Sequence, residues 1–199
     1  MATIGAFEKH VVFGRFEFFV GRLLPEMAAK GREEFEAYWR LHPEQRHMVR
    51  QPGSRQWIPL PRWQQAYEKD YRYTGTVNGA LPLPAMLFPY LTLAQEHIDS
   101  RLNGVLLNWY DASQRHYIGP HRDSRAGLVV GSPIVTISLG AERVFRLLRK
   151  GEHSRDFAAT HGSVFSIPWD TNLEVKHSIP EPRVGEEGRR VSITLRAFR

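Results

Sequence analysis

Two histidines and one aspartate in the second half of this chain have the types and spacing of metal ligands. His121 and Asp123 are two positions apart, so on an extended segment both side chains point to the same face. His177 can then approach from another strand. Two imidazoles and one carboxylate bind Fe(II) on one side and leave other coordination positions open. Taken singly, each residue also has an ordinary interpretation: a turn histidine, a carboxylate that caps the Gly119-Pro120 turn, or a core histidine.

The segment from position 190 to 196 alternates polar and apolar residues. On a strand, one face would carry Arg190, Ser192, Thr194 and Arg196, and the other Val191, Ile193 and Leu195. Buried guanidinium groups are costly unless they meet an anion, and the planar fork of arginine suits a carboxylate. This pattern predicts a site for a small diacid beside the metal. The alternative is an edge strand whose polar face lies in water.

The composition restricts the compartment and the partners. The net charge of +6 favours an anionic partner such as nucleic acid. The chain has no cysteine, which excludes disulfides, a disulfide-linked partner and thiolate metal sites. Charged residues at 8, 9, 15, 17 and 22 flank the apolar residues 11–13 and interrupt the amino-terminal stretch, so neither a signal peptide nor a membrane-spanning helix fits. We therefore expect a monomeric cytoplasmic protein, or a nuclear one in a eukaryote, that is not secreted and has no membrane partner.

The pattern of the chain changes near residue 103, from helical periodicity to short β-like runs. Helices are predicted over residues 32–40, ending before Pro43, and over residues 89–101. Strands are predicted over residues 105–110, 133–139, 143–148, 163–167 and 190–198. Such strands indicate an α+β, mainly β fold of two sheets, a jelly-roll being one option, with the helices bracing one sheet from outside. The length of 199 residues suits one domain over 1–199, with a helical region at 1–80, which the resemblance described below makes a substrate lid as well, and a β core at 103–199.

Aromatic and basic residues are interleaved between positions 50 and 75. They are Trp57, Trp63, Tyr67, Tyr71 and Tyr73, with Arg55, Arg62, Lys69 and Arg72. Aromatic rings that stack on bases and cations that neutralise phosphates would produce this mixture. Alternatively, the rings cover a sheet edge and the arginines are simply solvated.

Several motifs follow one another in a specific order. They are Asn108-Trp109-Tyr110, His121-Arg122-Asp123, Ser132-Pro133-Ile134 with Ser138-Leu139-Gly140, His177-Ser178-Ile179-Pro180, and the alternating segment at 190–196. In order and spacing, residues 61–199 resemble the AlkB family of iron- and 2-oxoglutarate-dependent dioxygenases.

The resemblance implies a double-stranded β-helix, or jelly-roll, as the catalytic core. It implies that His121, Asp123 and His177 bind Fe(II), and that Asn108 and Tyr110 contact 2-oxoglutarate. Arg190 and Arg196 would bind the two carboxylates of this co-substrate, with Ser192 and Thr194 completing that face. Ser192 stands where some members carry asparagine. The implied chemistry uses O2 and 2-oxoglutarate to hydroxylate a substrate carbon, so that an N-methyl group leaves as formaldehyde.

The resemblance also suggests the substrate. Residues 61–67 resemble the nucleotide-recognition lid of members that act on nucleic acids, and Tyr73 would stack a flipped base against His121 with Tyr71 nearby. One departure is that nucleic-acid demethylases commonly carry an acid just after the His-x-Asp motif, where this chain has Ser124 and Arg125. A carboxylate accepts from an exocyclic amine, whereas Arg125 only donates, for example to an acidic or carbonyl-bearing substrate or a phosphate.

We therefore expect oxidative demethylation or dealkylation of bases in alkylated DNA or RNA, in the sense of DNA repair. One alternative is the same chemistry on a protein side chain or a small molecule. The other is a non-catalytic jelly-roll binding module with structural histidines.

Overall fold

The computed structural model describes residues 5–51, 53–54, 56–73 and 75–199, with the backbone alone at Tyr73. The strands in these residues are β1 (Glu8–Val12), β2 (Phe16–Arg22), β3 (Met48–Arg50), β4 (Trp57–Pro59), β5 (Trp63–Tyr67), β6 (Tyr71–Tyr73), β7 (Thr76–Asn78), β8 (Ala80–Leu81), β9 (Gly104–Asp111), β10 (Ile118–His121), β11 (Ile134–Gly140), β12 (Arg143–Leu148), β13 (Arg155–Ala159), β14 (Ser163–Ile167), β15 (Lys176–Ile179) and β16 (Arg189–Arg196). The helices are α1 (Pro25–Glu33), α2 (Phe35–Arg40), α3 (Phe88–His97) and α4 (Trp169–Glu174).

The strands form two main sheets. The large sheet has the order β1-β2-β14-β11-β16-β9-β5-β8, and the small sheet has the order β10-β15-β12-β13. The strand pairs are antiparallel except for β5 with β8. Two separate hairpins, β3-β4 and β6-β7, complete the β structure of the described residues.

Strand β16 lies near the centre of the large sheet and separates two environments. Its residues Val191, Ile193 and Leu195 are fully buried in a core cluster that also contains helix residues such as Tyr38 and Leu91. The opposite face of the large sheet shares a second cluster with the small sheet, where Phe165 packs with Phe145 and Leu147. The predicted alternation from 190 to 196 is therefore correct: the helices cover its apolar face, and its polar face points between the sheets.

The predicted strands of the second half agree closely with the structure. Strands β12 and β14 have the predicted bounds, while β9, β11 and β16 differ by one or two residues. The last strand ends at Arg196 rather than at 198, where Phe198 is held by hydrogen bonds to Asn103. The short strand β13 was not predicted.

The predicted helices need correction. Residues 32–40 belong to two helices, because Glu34 leaves helical geometry with ψ at 5°, and α1 begins earlier, with Pro25 in its first turn. Helix α3 ends at His97 instead of 101. There the carboxylate of Asp99 accepts hydrogen bonds from the backbone and the guanidinium of Arg101, and this local turn replaces the helix.

The region at 1–80 is less helical than predicted. Strands β1 and β2 form a hairpin, and β2 pairs with β14 at the border of the large sheet. Phe16 and Phe18 are buried two positions apart, as expected for a strand. Among the described residues, no helix is long and apolar enough to cross a membrane.

The turn after β11 depends on a glycine. Gly140 has φ +89°, a left-handed conformation that strains other residues, and it pairs with Arg190 across the sheet. A Cβ there would overlap the carbonyl oxygen of Arg189 and the ring of Phe35. Gly140 thus allows the close approach that places the start of β16.

We expect Gly140→Ala to lower the free energy of unfolding by at least about 2 kcal/mol, since backbone strain and overlap add. The matched control is Gly151→Ala. Gly151 has φ +82°, and no described atom lies within 4 Å of the point where a Cβ would stand, so about 1 kcal/mol is expected. Urea denaturation measures both, and equal losses would contradict the proposed role of the overlap.

Candidate active site

The three predicted metal ligands meet at one place. Strands β10 and β15 pair with His121 directly opposite His177, and Asp123 follows β10 by two residues. One ligand atom from each residue lies within 4.8 Å of the others. The register of the small sheet therefore assembles two imidazoles and a carboxylate around a common point, as Fe(II) requires.

Both imidazoles are held in place. The Nδ1 of His121 lies 2.9 Å from the carbonyl oxygen of Gly119; since the carbonyl only accepts, Nδ1 donates and Nε2 carries the lone pair that a metal requires. This Nε2 lies 3.6 Å from Oδ1 of Asp123. His177 stacks on Phe145 at 5.8 Å between ring centroids, and its buried Nδ1 has no hydrogen-bond partner among the described residues.

Asp123 is the most strongly fixed of the three. Its Oδ2 accepts a hydrogen bond from Nε of Arg196 at 2.8 Å and forms an ion pair with Nη2 of the same guanidinium at 2.6 Å, and its Oδ1 accepts a hydrogen bond from the hydroxyl of Tyr71 at 3.3 Å. The side-chain amide of Asn172 contacts the backbone N–H and C=O of Asp123 at 3.0 and 3.1 Å. The carboxylate thus faces the cluster and does not cap the Gly119-Pro120 turn.

Burial and charge set the protonation states of the cluster. Burial alone would raise the pKa of Asp123, but Arg196 and the two histidines together lower it below its usual range. Burial, with the charge of Arg196 contributing, lowers the pKa of His121 and lowers that of His177 to about 3. At neutral pH the site therefore holds one carboxylate and two neutral imidazoles, which are the states that bind metals.

The burial and the hydrogen bonds of Arg190 are those expected of a residue that binds a dicarboxylate. It is 1% exposed, and its Nε donates to Oγ of Ser138 at 2.8 Å, while Nη1 and Nη2 have no hydrogen-bond partner in the described part of the chain. Burial lowers its pKa to about 10, so the group stays cationic at neutral pH. The guanidinium carbon lies 5.2 Å from the ring centre of Tyr110. A buried cation with two free donor nitrogens is a suitable partner for a carboxylate.

The other residues predicted for the co-substrate line the same pocket as His121, His177 and Arg190. They are Asn108, Tyr110, Ser192, Thr194 and Arg196. Arg190 and Arg196 differ, however, because Arg196 is engaged by Asp123 whereas Arg190 keeps two nitrogens free. The roles of these residues toward iron and 2-oxoglutarate stay predictions.

Two further pocket residues, Arg62 and Gln64, were included in the predicted lid segment 61–67 but were not predicted individually as site residues. Arg62, expected on one interpretation to be solvated, is 2% exposed; its Nε donates to Oδ1 of Asn108 and its Nη2 to Oε1 of Gln64, both at 2.8 Å. Gln64 is also buried and lines the pocket. The available signal was the two-residue spacing of Arg62, Gln64 and Ala66, which places them on one face of β5 and the residue before it.

Three residues were predicted to bind the substrate, and they do not all line the pocket. Tyr71 lines the pocket, with the guanidinium of Arg196 at 4.6 Å from its ring centre. Tyr73 lies in β6, but its side chain is outside the described residues. Arg125 is exposed on the loop after Asp123 and does not line the pocket. Their contacts with a substrate stay predictions.

The buried Arg143 connects the segment before β10 with the segment after β15, the two strands that carry His121 and His177. Nη2 of Arg143 donates to the carbonyl oxygens of His116, before β10, and Pro180, after β15, at 3.0 and 2.5 Å. His116 is fully buried, its Nδ1 accepts from the backbone N–H of Asp111, and its ring packs edge-on against Trp63. These contacts hold in place the segments next to β10 and β15, the strands that carry His121 and His177.

Comparison with known proteins identifies the class. The family model of the 2OG-Fe(II) oxygenase superfamily matches residues 24–196. The chain belongs to this superfamily, and the AlkB-family resemblance within it is confirmed. Members use Fe(II), 2-oxoglutarate and O2, and the His121-Asp123-His177 cluster has the ligand types that this iron requires.

The similar curated proteins include DNA oxidative demethylase ALKBH2 from Homo sapiens, 31% identical over 69% of this chain and 59% of the relative. The protein of the same name from Bos taurus is 34% identical over 70% of this chain and 54% of the relative. The chain thus spans little more than half the length of these relatives.

Two solved structures share the fold. One is the structure of OsALKBH1, with a TM-score of 0.56 and 14% identity over 90% of this chain and 97% of that one. The other is an oxidoreductase of the 2OG-Fe(II) oxygenase family from Burkholderia pseudomallei, with a TM-score of 0.55 and 16% identity over 91% and 85%. They confirm the predicted α+β, mainly β jelly-roll.

The buried His116 makes stability depend on pH. Burial, with the charge of Arg46 contributing, lowers its pKa to about 4 from an ordinary value of 6.5. The unfolded chain therefore binds a proton that the folded chain excludes, so this contribution is complete above pH 6.5 and is lost as the pH falls toward 4.

We expect His116→Gln to remove about 2 kcal/mol of the stability difference between pH 7 and pH 5. Urea denaturation of the wild type and the variant at both pH values isolates this contribution, because the other titrating groups are shared. An unchanged difference would show that His116 is not the titrating group.

Proposed function

We propose that this chain is an Fe(II)- and 2-oxoglutarate-dependent dioxygenase that oxidatively dealkylates bases in DNA or RNA. One observation carries the oxygenase part: a single pocket holds His121 and His177 of the ligand cluster together with the unpartnered guanidinium nitrogens of Arg190, as far as the described residues go. A metal and a dicarboxylate would satisfy both groups at once.

The metal would be held by His121, Asp123 and His177. The Nδ1 of His121 donates to Gly119, so its Nε2 carries the lone pair for the ion. Arg196 and Tyr71 hold the Asp123 carboxylate by two hydrogen bonds and an ion-pair contact and thereby orient it.

The co-substrate would be held on the polar face of β16 and β9. Arg190 would bind one carboxylate with its two free nitrogens, beside Tyr110. Asn108, Ser192 and Thr194 line the same face and supply amide and hydroxyl groups. Arg196 would serve twice, since it orients Asp123 and lines the pocket where the second carboxylate would lie.

When bound, iron, 2-oxoglutarate and O2 supply the oxidation of an N-alkyl carbon, whose hydroxylated product loses an aldehyde. The chain would orient the metal, the co-substrate and the substrate and would exclude water from them. Leu106, Ile118 and Phe145 line the pocket with apolar surface, and Phe145 stacks on His177 and restricts its ring.

The names of the similar relatives, DNA oxidative demethylase, support a nucleic-acid substrate. The hairpin β3-β4 adds physical support, because Trp57 is 51% exposed and Arg50 lies over its ring at 5.4 Å. His47, just before β3, lies 3.0 Å from the hydroxyl of Thr76 on the hairpin that carries Tyr71. Exposed rings and cations beside the pocket suit stacking on bases and contact with phosphates.

Anaerobic reconstitution with Fe(II) and 2-oxoglutarate tests the proposal. After oxygen is added with methylated oligonucleotides, we expect formaldehyde, succinate and the demethylated base.

His121→Ala should abolish all three products, because one of three ligands is lost. Arg190→Met should raise the KM for 2-oxoglutarate by roughly 100-fold, since a charge-assisted double hydrogen bond is removed.

The control variant is Arg146→Met, which removes an arginine of a surface ion pair with Asp156 and should leave the KM unchanged. Turnover of 2-oxoglutarate without any oligonucleotide product would favour a protein side chain or small molecule as substrate. Absence of iron binding and of turnover would favour a non-catalytic binding module.

A further inference from the structure

Arg143 is a buried arginine that lies close to the pocket without lining it. It is 4% exposed and alternates with Phe145 and Leu147 on the inward face of β12, where Phe145 lines the pocket. Its Nη2 donates to the carbonyl oxygens of His116 and Pro180, whereas its Nη1 is buried with no hydrogen-bond partner among the described residues. Arg143 therefore has a donor nitrogen and a charge that its backbone contacts do not use.

Arg143 and Arg190 meet at one aromatic ring. The guanidinium carbon of Arg143 lies 6.0 Å from the ring centre of Tyr110, and that of Arg190 lies 5.2 Å from the same centre. The two cations come from different sheets, Arg143 from β12 and Arg190 from β16, where Arg190 pairs with Tyr110 of β9. Both guanidinium groups are thus within cation–π distance of the same ring.

The positive charge of this pair is not neutralised by an ion pair. Among the residues that the structure describes, neither Arg143 nor Arg190 forms a salt bridge with a carboxylate. Burial lowers the pKa of Arg190, and repulsion by Arg143 acts in the same direction. Glu186 attracts Arg143 through its charge without forming an ion pair. Two buried cations beside one ring therefore produce a positive potential that a bound anion would relieve.

The two arginines of β16 indicate which end of a bound diacid would face this pair. Arg196 contacts the metal ligand Asp123, whereas Arg190 lies at the opposite end of the strand. A 2-oxo acid binds a metal through its keto oxygen and the adjacent carboxylate, so that end of 2-oxoglutarate would lie toward Arg196. The carboxylate away from the keto group, the distal carboxylate, would then lie toward Arg190, Tyr110 and Arg143.

We propose that Arg143 is a positioning residue that strengthens the binding of the distal carboxylate of 2-oxoglutarate through its charge, beside Tyr110 and Arg190. The inference rests on the proposed function, because it concerns the co-substrate of that reaction. Arg143 does not line the pocket, so it supplies charge and not a direct hydrogen bond. At a separation of about 10 Å and an effective dielectric constant of about 20, one such charge changes the affinity for a carboxylate roughly tenfold.

A purely structural role of Arg143 gives a different expectation. Its contacts with His116 and Pro180 hold segments next to the strands of both metal histidines, so their loss would weaken every ligand that binds the metal to the same extent. The charge acts only on a ligand that has a distal carboxylate. 2-Oxoglutarate and 2-oxopentanoate separate these roles, because 2-oxopentanoate has the same carbon chain and keto acid but a methyl group in place of the distal carboxylate.

Isothermal titration calorimetry of the Fe(II)-loaded protein without O2 measures both affinities in the absence of turnover. The quantity of interest is the Kd for 2-oxopentanoate divided by the Kd for 2-oxoglutarate. We expect Arg143→Gln, which keeps N–H donors but removes the charge, to lower this ratio about tenfold, with the Kd for 2-oxopentanoate changed less than about threefold. Arg143→Lys keeps the charge, and its ratio should stay within about threefold of the wild-type value.

Arg146→Gln is the matched control. It makes the same change on β12 at a half-buried arginine that pairs with Asp156 and does not line the pocket, so the ratio should stay at the wild-type value. Urea denaturation shows which variants fold. If Arg143→Gln does not fold, Arg143→Lys decides alone, and a ratio about tenfold below the wild type in that variant would contradict a role of the charge.

The remaining outcomes separate the inference from the proposed function. Equal losses of affinity for both ligands in Arg143→Gln, with an unchanged ratio, would assign Arg143 to structure alone and overturn the inference, while the diacid site at Arg190 stands. A wild type that binds 2-oxopentanoate as tightly as 2-oxoglutarate would remove the diacid site itself, and the proposed function would fail together with the inference.

Discussion

The buried ion pair between Asp123 and Arg196 connects all the parts of the site. Arg196 comes from the central strand of the large sheet, and Asp123 comes from the loop after β10 of the small sheet. Tyr71, from the hairpin β6-β7, donates to the same carboxylate. Removing one member of a buried pair leaves an uncompensated charge, a loss of about 3–5 kcal/mol. The pair therefore fixes the distance between the sheets at the point where the metal ligands converge.

This arrangement makes the two faces of β16 serve different purposes. Val191, Ile193 and Leu195 are buried against the helix side of the sheet and supply hydrophobic stabilisation. On the other face, Arg190 is buried with two nitrogens that the described residues leave unsatisfied, which costs stability. The apolar face offsets that cost, so the fold can keep a buried guanidinium whose two nitrogens are available to an anion.

Much of this site followed from local sequence pattern. The alternation from 190 to 196 predicted which side chains share a face, because a strand has a period of two. The spacing of His121 and Asp123 predicted their common direction, although Asp123 lies just beyond β10. The partner of His177 could not be predicted in this way, since the pairing of β10 with β15 joins residues far apart in sequence.

The unpredicted features likewise depend on long-range contacts. Arg62 looked like a solvated cation because its acceptors, Asn108 and Gln64, lie on two strands that meet only in the folded sheet. Hairpin β1-β2 was not predicted, because its apolar residues were considered only as part of a signal peptide or of a membrane-spanning helix.

The position of Arg62 also changes the significance of Ser124 and Arg125. In the sequence alone, the missing acid after the His-x-Asp motif weakened the case for methylated adenine or cytosine as substrate, because an acid accepts from an exocyclic amine whereas Arg125 only donates. The structure leaves both residues exposed, whereas Arg62 and Gln64 are buried and line the pocket. Arg62 is held instead by Asn108 and Gln64, which lie on the neighbouring strands β9 and β5. Two neighbouring strands thus fix the direction of this buried guanidinium within the pocket.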